Sequence, residues 1–177
     1  SLAKLKGDET LFEASFEKYA KATQLKADDA DVYSNWGISL CELSRMKSDE
    51  RLFEAGIEKY DKATRLKADH ADAYGGWGYS LMGLAEMRGS LEEDKDIITE
   101  KLLKAYSLGN TNGVYNLACL YSLLDEKDEA FEWFEKAIQL SENTRKDFET
   151  DSDFDNLRQD PRYEELLNKY RPLKEDK

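Results

Sequence analysis

The sequence predicts an all-α fold in which antiparallel helical hairpins stack side by side. Residues 8–40 recur 41 positions later as residues 49–81, with 23 identities in 33 ungapped positions. A fixed period of that length marks a repeat array, whose units bury a core only against their neighbours. Within each copy the apolar residues recur every three or four positions, the period of a helix with one buried face. Composition agrees. The 177 residues include only 2 Pro and are 36% charged, and Ala, Leu, Glu and Lys, all good helix formers, abound.

In the first copy Phe12, Phe16, Tyr19 and Thr23 share one face of a helix expected over residues 9–26, and Thr10 with Glu13 has the spacing of a capping box. A break at Ala27, Asp28 and Asp29 offers capping carboxylates to a second helix over residues 30–46. Its buried stripe is Tyr33, Trp36, Gly37, Leu40 and Leu43. Helices over residues 50–67 and 71–87 repeat the pair. The next copy is looser: Ser90 and Glu93 form another capping-box spacing before a helix that stops near Leu108, with Gly109 and Asn110 as a left-handed stop. Helices over residues 111–124 and 127–140 follow. Beyond Ser141 the periodicity fades, and a last short helix starts at Pro161.

At the third copy the residues acquire a family likeness. Leu117, Ala118, Tyr121, Ala130, Phe134 and Ala137 fill slots at the spacing of a tetratricopeptide repeat. The same slots hold Tyr33, Trp36, Gly37, Leu40, Gly56, Tyr60 and Ala63, then Tyr74, Trp77, Gly78, Leu81 and Ala105. Residues 8–140 thus resemble that family, which implies a right-handed α-solenoid, a superhelix of antiparallel helical hairpins. Copies are expected at about 8–29, 30–70, 71–110 and 111–140. The family's unit is about 34 residues long, whereas the first full copies carry seven or eight extra residues around the bend, at 45–52 and 86–94. Residues 151–167 resemble the closing segment of such arrays. Phe154, Leu157, Tyr163, Leu166 and Leu167 would cover the apolar face that the last hairpin leaves open, within a capping segment over residues 141–177.

Charge and cysteine usage narrow the function. With 26 Lys and Arg against 38 Asp and Glu, the net charge is −12, which repels phosphate backbones, so nucleic acid is not an expected partner. The longest nearly apolar stretch, residues 113–124, is too short to span a bilayer and contains Asn116, so no membrane partner is expected. Cys41 and Cys119 stand far apart without metal-ligand spacing and suit a reducing, cytoplasmic setting. The chain opens on Ser1 and Leu2 without Met or a signal-peptide pattern, as a trimmed sequence would.

No residue pattern points to catalysis, a cofactor or a metal. Asp151, Asp153 and Asp155 alternate like the start of a calcium loop, but Asn156 and Arg162 occupy the positions that need Gly and Glu. His70, the single histidine, falls in a turn and is expected to be exposed. Trp36 and Trp77 are expected in the core, where each aromatic contributes up to about 4–6 kcal/mol by burial. The resemblance implies a concave channel lined by the first helix of each hairpin. It places Asn35, Ile38 and Cys41 there from one copy, Tyr79 and Met82 from the next, and Tyr115, Asn116 and Cys119 from the third. Gly75 and Gly76 would leave the middle shallow and open. Members that grip a C-terminal carboxylate use Lys and Arg, whereas the neighbouring slots here hold Asp31, Asp72 and Asn112 and would repel it. The expected function is a non-catalytic scaffold or adaptor that binds a neutral or basic protein segment with apolar anchors. The alternative is a self-associating or spacer unit of a longer protein, with further repeats upstream.

Overall fold

The computed structural model describes residues 2–141 and 144–170, with side chains described for 9–141 and 146–170. Ser1 and the parts of the expected capping segment at 142–143 and 171–177 lie outside the described residues. Every described element is helical, in the order α1 (Leu2–Leu25), α2 (Ala30–Lys47), α3 (Glu50–Leu66), α4 (Ala71–Arg88), α5 (Leu91–Ser107), α6 (Asn112–Leu123), α7 (Lys127–Leu140), α8 (Thr144–Thr150), a 3-10 turn at Ser152–Phe154 and α9 (Pro161–Lys169). The chain forms two compact units, Ser1–Asn110 and Thr111–Lys177. In the first, α2 pairs with α3 and α4 with α5 as antiparallel hairpins, α3 packs on α4, and α1 packs on α2. In the second, α6 pairs with α7, and the 3-10 turn and α9 close over them.

Caps delimit these helices more than composition does. Asp29, Asp49 and Asp160 accept a backbone N–H in the first turn of α2, α3 and α9, and His70 Nδ1 does the same for α4 from Ala73 N at 3.4 Å. Pro161 begins α9, where its missing N–H costs nothing. At the far ends, α2 and α4 stop at equivalent left-handed residues, Ser48 (φ 53°) and Gly89 (φ 69°). Gly109 (φ 98°) breaks the chain after α5. Two expected capping boxes do not form. Thr10 lies inside α1, which begins at Leu2, and the Ser90 hydroxyl donates to the Asp94 carboxylate (2.7 Å) instead of capping α5.

The core of the first unit centres on Phe53, Tyr60 and Ala63 of α3, each no more than 2% exposed. The Tyr60 ring lies between α2 and α4: a β-carbon added to Gly37 would sit 2.9 Å from it, and one added to Gly76 would sit 2.7 Å away. Only glycine lets both helices approach so closely. The extra residues of these copies lengthen the helices: α2, α3, α4 and α5 have 18, 17, 18 and 17 residues, against 12 and 14 in α6 and α7. Trp36 and Trp77 are half-buried, a correction to the expectation of full burial. The Lys59 and Lys101 ammonium groups lie 4.3 and 4.5 Å from the ring centres, in cation–π geometry.

In the second unit Phe134, Phe148 and Phe154 are fully buried and Tyr163 nearly so. Ring centres of Phe134 and Phe148 are 3.8 Å apart, and those of Phe148 and Phe154 4.4 Å. The rings of Phe148, Phe154 and Tyr163 thus pack on Phe134 of α7, and Leu157 and Leu167 are buried as well. Leu166 is only half-buried. Phe148, on the seven-residue α8, is the member that periodicity did not mark.

Ser48 in a left-handed conformation costs about 1–2 kcal/mol, which glycine avoids. Ser48→Gly should therefore raise unfolding stability by about 1 kcal/mol in urea titration, with Gly89→Ser lowering it similarly. A pH dependence follows from α9. Hydrogen bonds from Arg162 hold the Asp160 carboxyl down to about 2. A carboxyl depressed by folding stabilises above its ordinary value near 4, and the contribution disappears as pH falls toward 2. Asp160→Asn, which retains a capping oxygen, should show a shallower loss of thermal midpoint than wild type between about pH 4 and pH 2.

Candidate functional site

The residues implied for the channel fall into three groups. Asn35, Ile38 and Tyr79 are exposed on α2 and α4, with Ile38 at 40% and Tyr79 at 41%. Ile38 and Tyr79 are equivalent positions of the two copies, and α2 and α4 are in contact. Their helical neighbours Gly37, Leu40, Gly78 and Ser80 are all buried, so the two side chains mark the outward stripe of that helix pair. The Arg45 guanidinium lies 3.8 Å from the centre of the Tyr79 ring and reaches the Tyr79 carbonyl (3.4 Å), tying α2 to α4.

The second group is buried. Met82, Cys41 and Cys119 are 2%, 3% and 2% exposed, so they belong to the packed interior and present no surface to a ligand. Burial pushes the Cys41 thiol up to about 11 and drives Cys119 well above its ordinary value, a direction that Asp153 and Asp151 reinforce. Both thiols stay protonated at neutral pH, the inert state of a packed cysteine.

The third group, Tyr115 and Asn116 of α6, is half-buried, and Tyr115 is engaged by the segment that follows α7. Its hydroxyl donates to Asp151 Oδ2 (2.5 Å), and its ring packs on Phe148 (4.9 Å) and Phe154 (5.8 Å). Burial and then this bond to a carboxylate raise the Tyr115 phenol far above its usual value. Two turns on, buried Ser122 Oγ lies 2.6 Å from the Asp153 carbonyl and 2.7 Å from Asn156 Oδ1, while Asn156 Nδ2 donates to the Ser122 carbonyl (2.7 Å).

The alternating acidic residues are drawn into the same contacts. Asp151 Oδ1 accepts the Asp153 N–H (3.0 Å), Asp155 pairs with Arg158, and Asn156 binds Ser122. Among the described residues, Cys119, Asp151 and Asp153 form the one group of Cys, His or acidic side chains with donor atoms close enough to share an ion, all within 4.8 Å. The Tyr115 and Asp153 hydrogen bonds already occupy both oxygens of Asp151.

Two expectations, one about the glycines of α4 and one about its cap His70, are corrected. A β-carbon on Gly75 would meet the Asn110 side chain at 3.2 Å, and one on Gly76 the Tyr60 ring, so packing fills the space beside both glycines. His70 is buried at 7% exposure, not exposed. Its Nδ1 caps α4 and its Nε2 approaches Asp31 Oδ1 to 3.1 Å, close but poorly aligned for a hydrogen bond. Asp72 accepts from Asn110 Nδ2 (2.7 Å). Two of the three slots that oppose a carboxylate ligand are therefore held by acids that contact neighbouring turns.

Stacked antiparallel hairpins of this kind define an α-solenoid, a helical-repeat protein. Residues 112–144 match the tetratricopeptide repeat family, and the fold of the chain is that of tetratricopeptide-repeat proteins. The chain is similar to the crystal structure of MamA at 18% identity, with a TM-score of 0.66 over 93% of this chain and 87% of that one. It is similar to YrrB, a TPR protein with an unusual peptide-binding site, at 19% identity, with a TM-score of 0.55 over 86% of this chain and 90% of that one. At these identities the likeness is one of fold. No curated protein sequence matches the chain.

Ser122→Ala removes a buried hydroxyl whose single proton is shared between the Asp153 carbonyl and Asn156 Oδ1. It should destabilise the second unit by about 1–3 kcal/mol in urea unfolding and raise amide exchange in residues 151–157.

Proposed function

We propose that this chain is a non-catalytic interaction module that holds an extended or helical protein segment against the exposed stripe of α2 and α4. The observation that carries this reading is the pair Ile38 and Tyr79, large apolar side chains at equivalent positions of adjacent helices, each about two-fifths exposed among buried neighbours. Asn35, one turn before Ile38, adds a side-chain amide able to bond a ligand backbone. Tetratricopeptide-repeat proteins as a class serve protein–protein interaction, and the similar YrrB has a peptide-binding site. The net charge of −12 favours a neutral or basic segment through long-range attraction. Tyr115 and Asn116 are left out of the proposed contact, since the tail covers Tyr115.

The experiment is selection of peptides from a displayed library against the immobilised chain. Selected peptides should carry apolar anchors and basic residues. Their affinity should fall by about tenfold or more, roughly 1.4 kcal/mol, for Asn35→Ala/Ile38→Ala/Tyr79→Ala. These positions are exposed, so the variant should keep its helical circular dichroism. Equal binding by a folded variant, or selection of acidic peptides, would reject the stripe.

A further inference from the structure

Residues 9–25 of α1 match α3 at 12 of 17 positions, yet the two helices are unequally covered. Leu52, Ala55, Lys59 and Leu66 of α3 are half-buried, whereas their counterparts Leu11, Ala14, Lys18 and Leu25 of α1 are exposed. Tyr60 and Ala63 are buried, and their identical counterparts Tyr19 and Ala22 are half-buried. Leu11 and Leu25, at 68% and 82%, are the two most exposed large apolar side chains among the described residues. They bracket this stripe at helical spacing. Identical chemistry at a lower burial means that one neighbour of α3 has no counterpart against α1.

That neighbour is α2. On α3 the stripe meets α2 at close range: Tyr60 against Gly37, and the Lys59 ammonium 4.3 Å from the Trp36 ring centre. The next hairpin repeats the arrangement with Gly78 against Leu102 and Lys101 4.5 Å from Trp77. Both covering helices carry the same pattern, Trp36-Gly37 with Leu40 and Trp77-Gly78 with Leu81. The tryptophan receives the lysine and the glycine admits the bulky side chain.

We infer that the outward stripe of α1 is a docking seat for an amphipathic helix bearing a Trp-Gly step with leucine three residues after the glycine. The bound helix seats its glycine over Tyr19, its tryptophan under Lys18 and its apolar side against Leu11 and Leu25. This seat is separate from the α2 and α4 stripe, and either can fail without the other.

The probe is a fluorescein-labelled synthetic peptide of residues 30–47, added to the full chain and followed by anisotropy. Saturable binding with a Kd below about 1 mM is expected. Leu11→Glu/Leu25→Glu, at exposed positions that leave the thermal midpoint unchanged, should weaken it by about tenfold or more. So should Gly37→Leu within the peptide, whereas Asn35→Ala/Ile38→Ala/Tyr79→Ala in the full chain should bind as wild type. Failure to saturate at about 1 mM, or equal binding by Leu11→Glu/Leu25→Glu, overturns the inference. A concentration-dependent dimer in sedimentation that the same variant dissolves also overturns it, because a second copy then takes the seat.

Discussion

The first unit depends on one close approach, the Tyr60 ring held between the glycine faces of α2 and α4. A ring there fixes three helices at once, because a lateral shift of either partner brings backbone or a β-carbon into the aromatic. Burial at 2% adds the hydrophobic return of a large side chain. The same glycine slot recurs one hairpin later, where Gly78 receives Leu102 of α5. A different side chain fills the slot, but glycine remains the receiving side. Hairpin packing therefore propagates through a repeated recess more than through a repeated projection.

Charged ties follow the same geometry. Arg88 bonds Glu50 (2.8 Å) and Glu54 (2.5 Å), and Lys47 pairs with Glu9. In the second unit Arg162 reaches Asp128 (2.6 Å) and Lys169 reaches Glu135 (2.6 Å). All of these side chains are at least partly exposed, where an ion pair contributes about 0–1 kcal/mol. Such contacts are too weak to hold the helices together against chain entropy. They can still discriminate among registers that the apolar stripes would tolerate, because a helix slipped by one turn leaves the charges unmatched.

The hairpins were legible because period and duplication report burial directly: Phe12/Phe53 and Tyr19/Tyr60 repeat only if both contribute to a common interface. Details that depend on a neighbouring turn were not. The Thr10 signal is local, and propagation of α1 back to Leu2 overrides it. His70 reads as a turn residue in sequence, but capping α4 turns its ring inward beside Asp31. Gly75 and Gly76 read as open space, whereas here glycine marks where Asn110 and Tyr60 press closest. Of the expected ligand-facing residues, Asn35, Ile38 and Tyr79 are exposed. The helical period alone could not tell Met82 from Tyr79, since the two lie three residues apart on one side of α4. Tyr115 escaped for another reason: its cover comes from the short α8 and the 3-10 turn after it, with Asp151 between them, and these pieces are too short to show a period.

The lengthening of the first unit's hairpins bears on the exposed stripe of α2 and α4 that is proposed to hold a ligand. With Gly37 and Ala118 in the same slot, α6 ends at the position of Glu42, and α2 continues to Lys47. At 1.5 Å per residue that adds roughly 7–8 Å of helix. Arg45 lies in this extension, and its guanidinium covers the Tyr79 ring while approaching Phe53 to 5.4 Å. Gly83 makes room for it: a β-carbon there would lie 3.0 Å from Arg45 Nη2. One face of Tyr79 is thus already occupied by a cation, and a second cation on that face would meet like charge. A basic ligand that uses this surface must place an apolar group on Tyr79 and carry its charges elsewhere, toward the acidic exterior. For the segment binding proposed above, the extra turn would restrict which part of a ligand Tyr79 accepts, and a repeat as short as α6 and α7 has no residue positioned to impose that restriction.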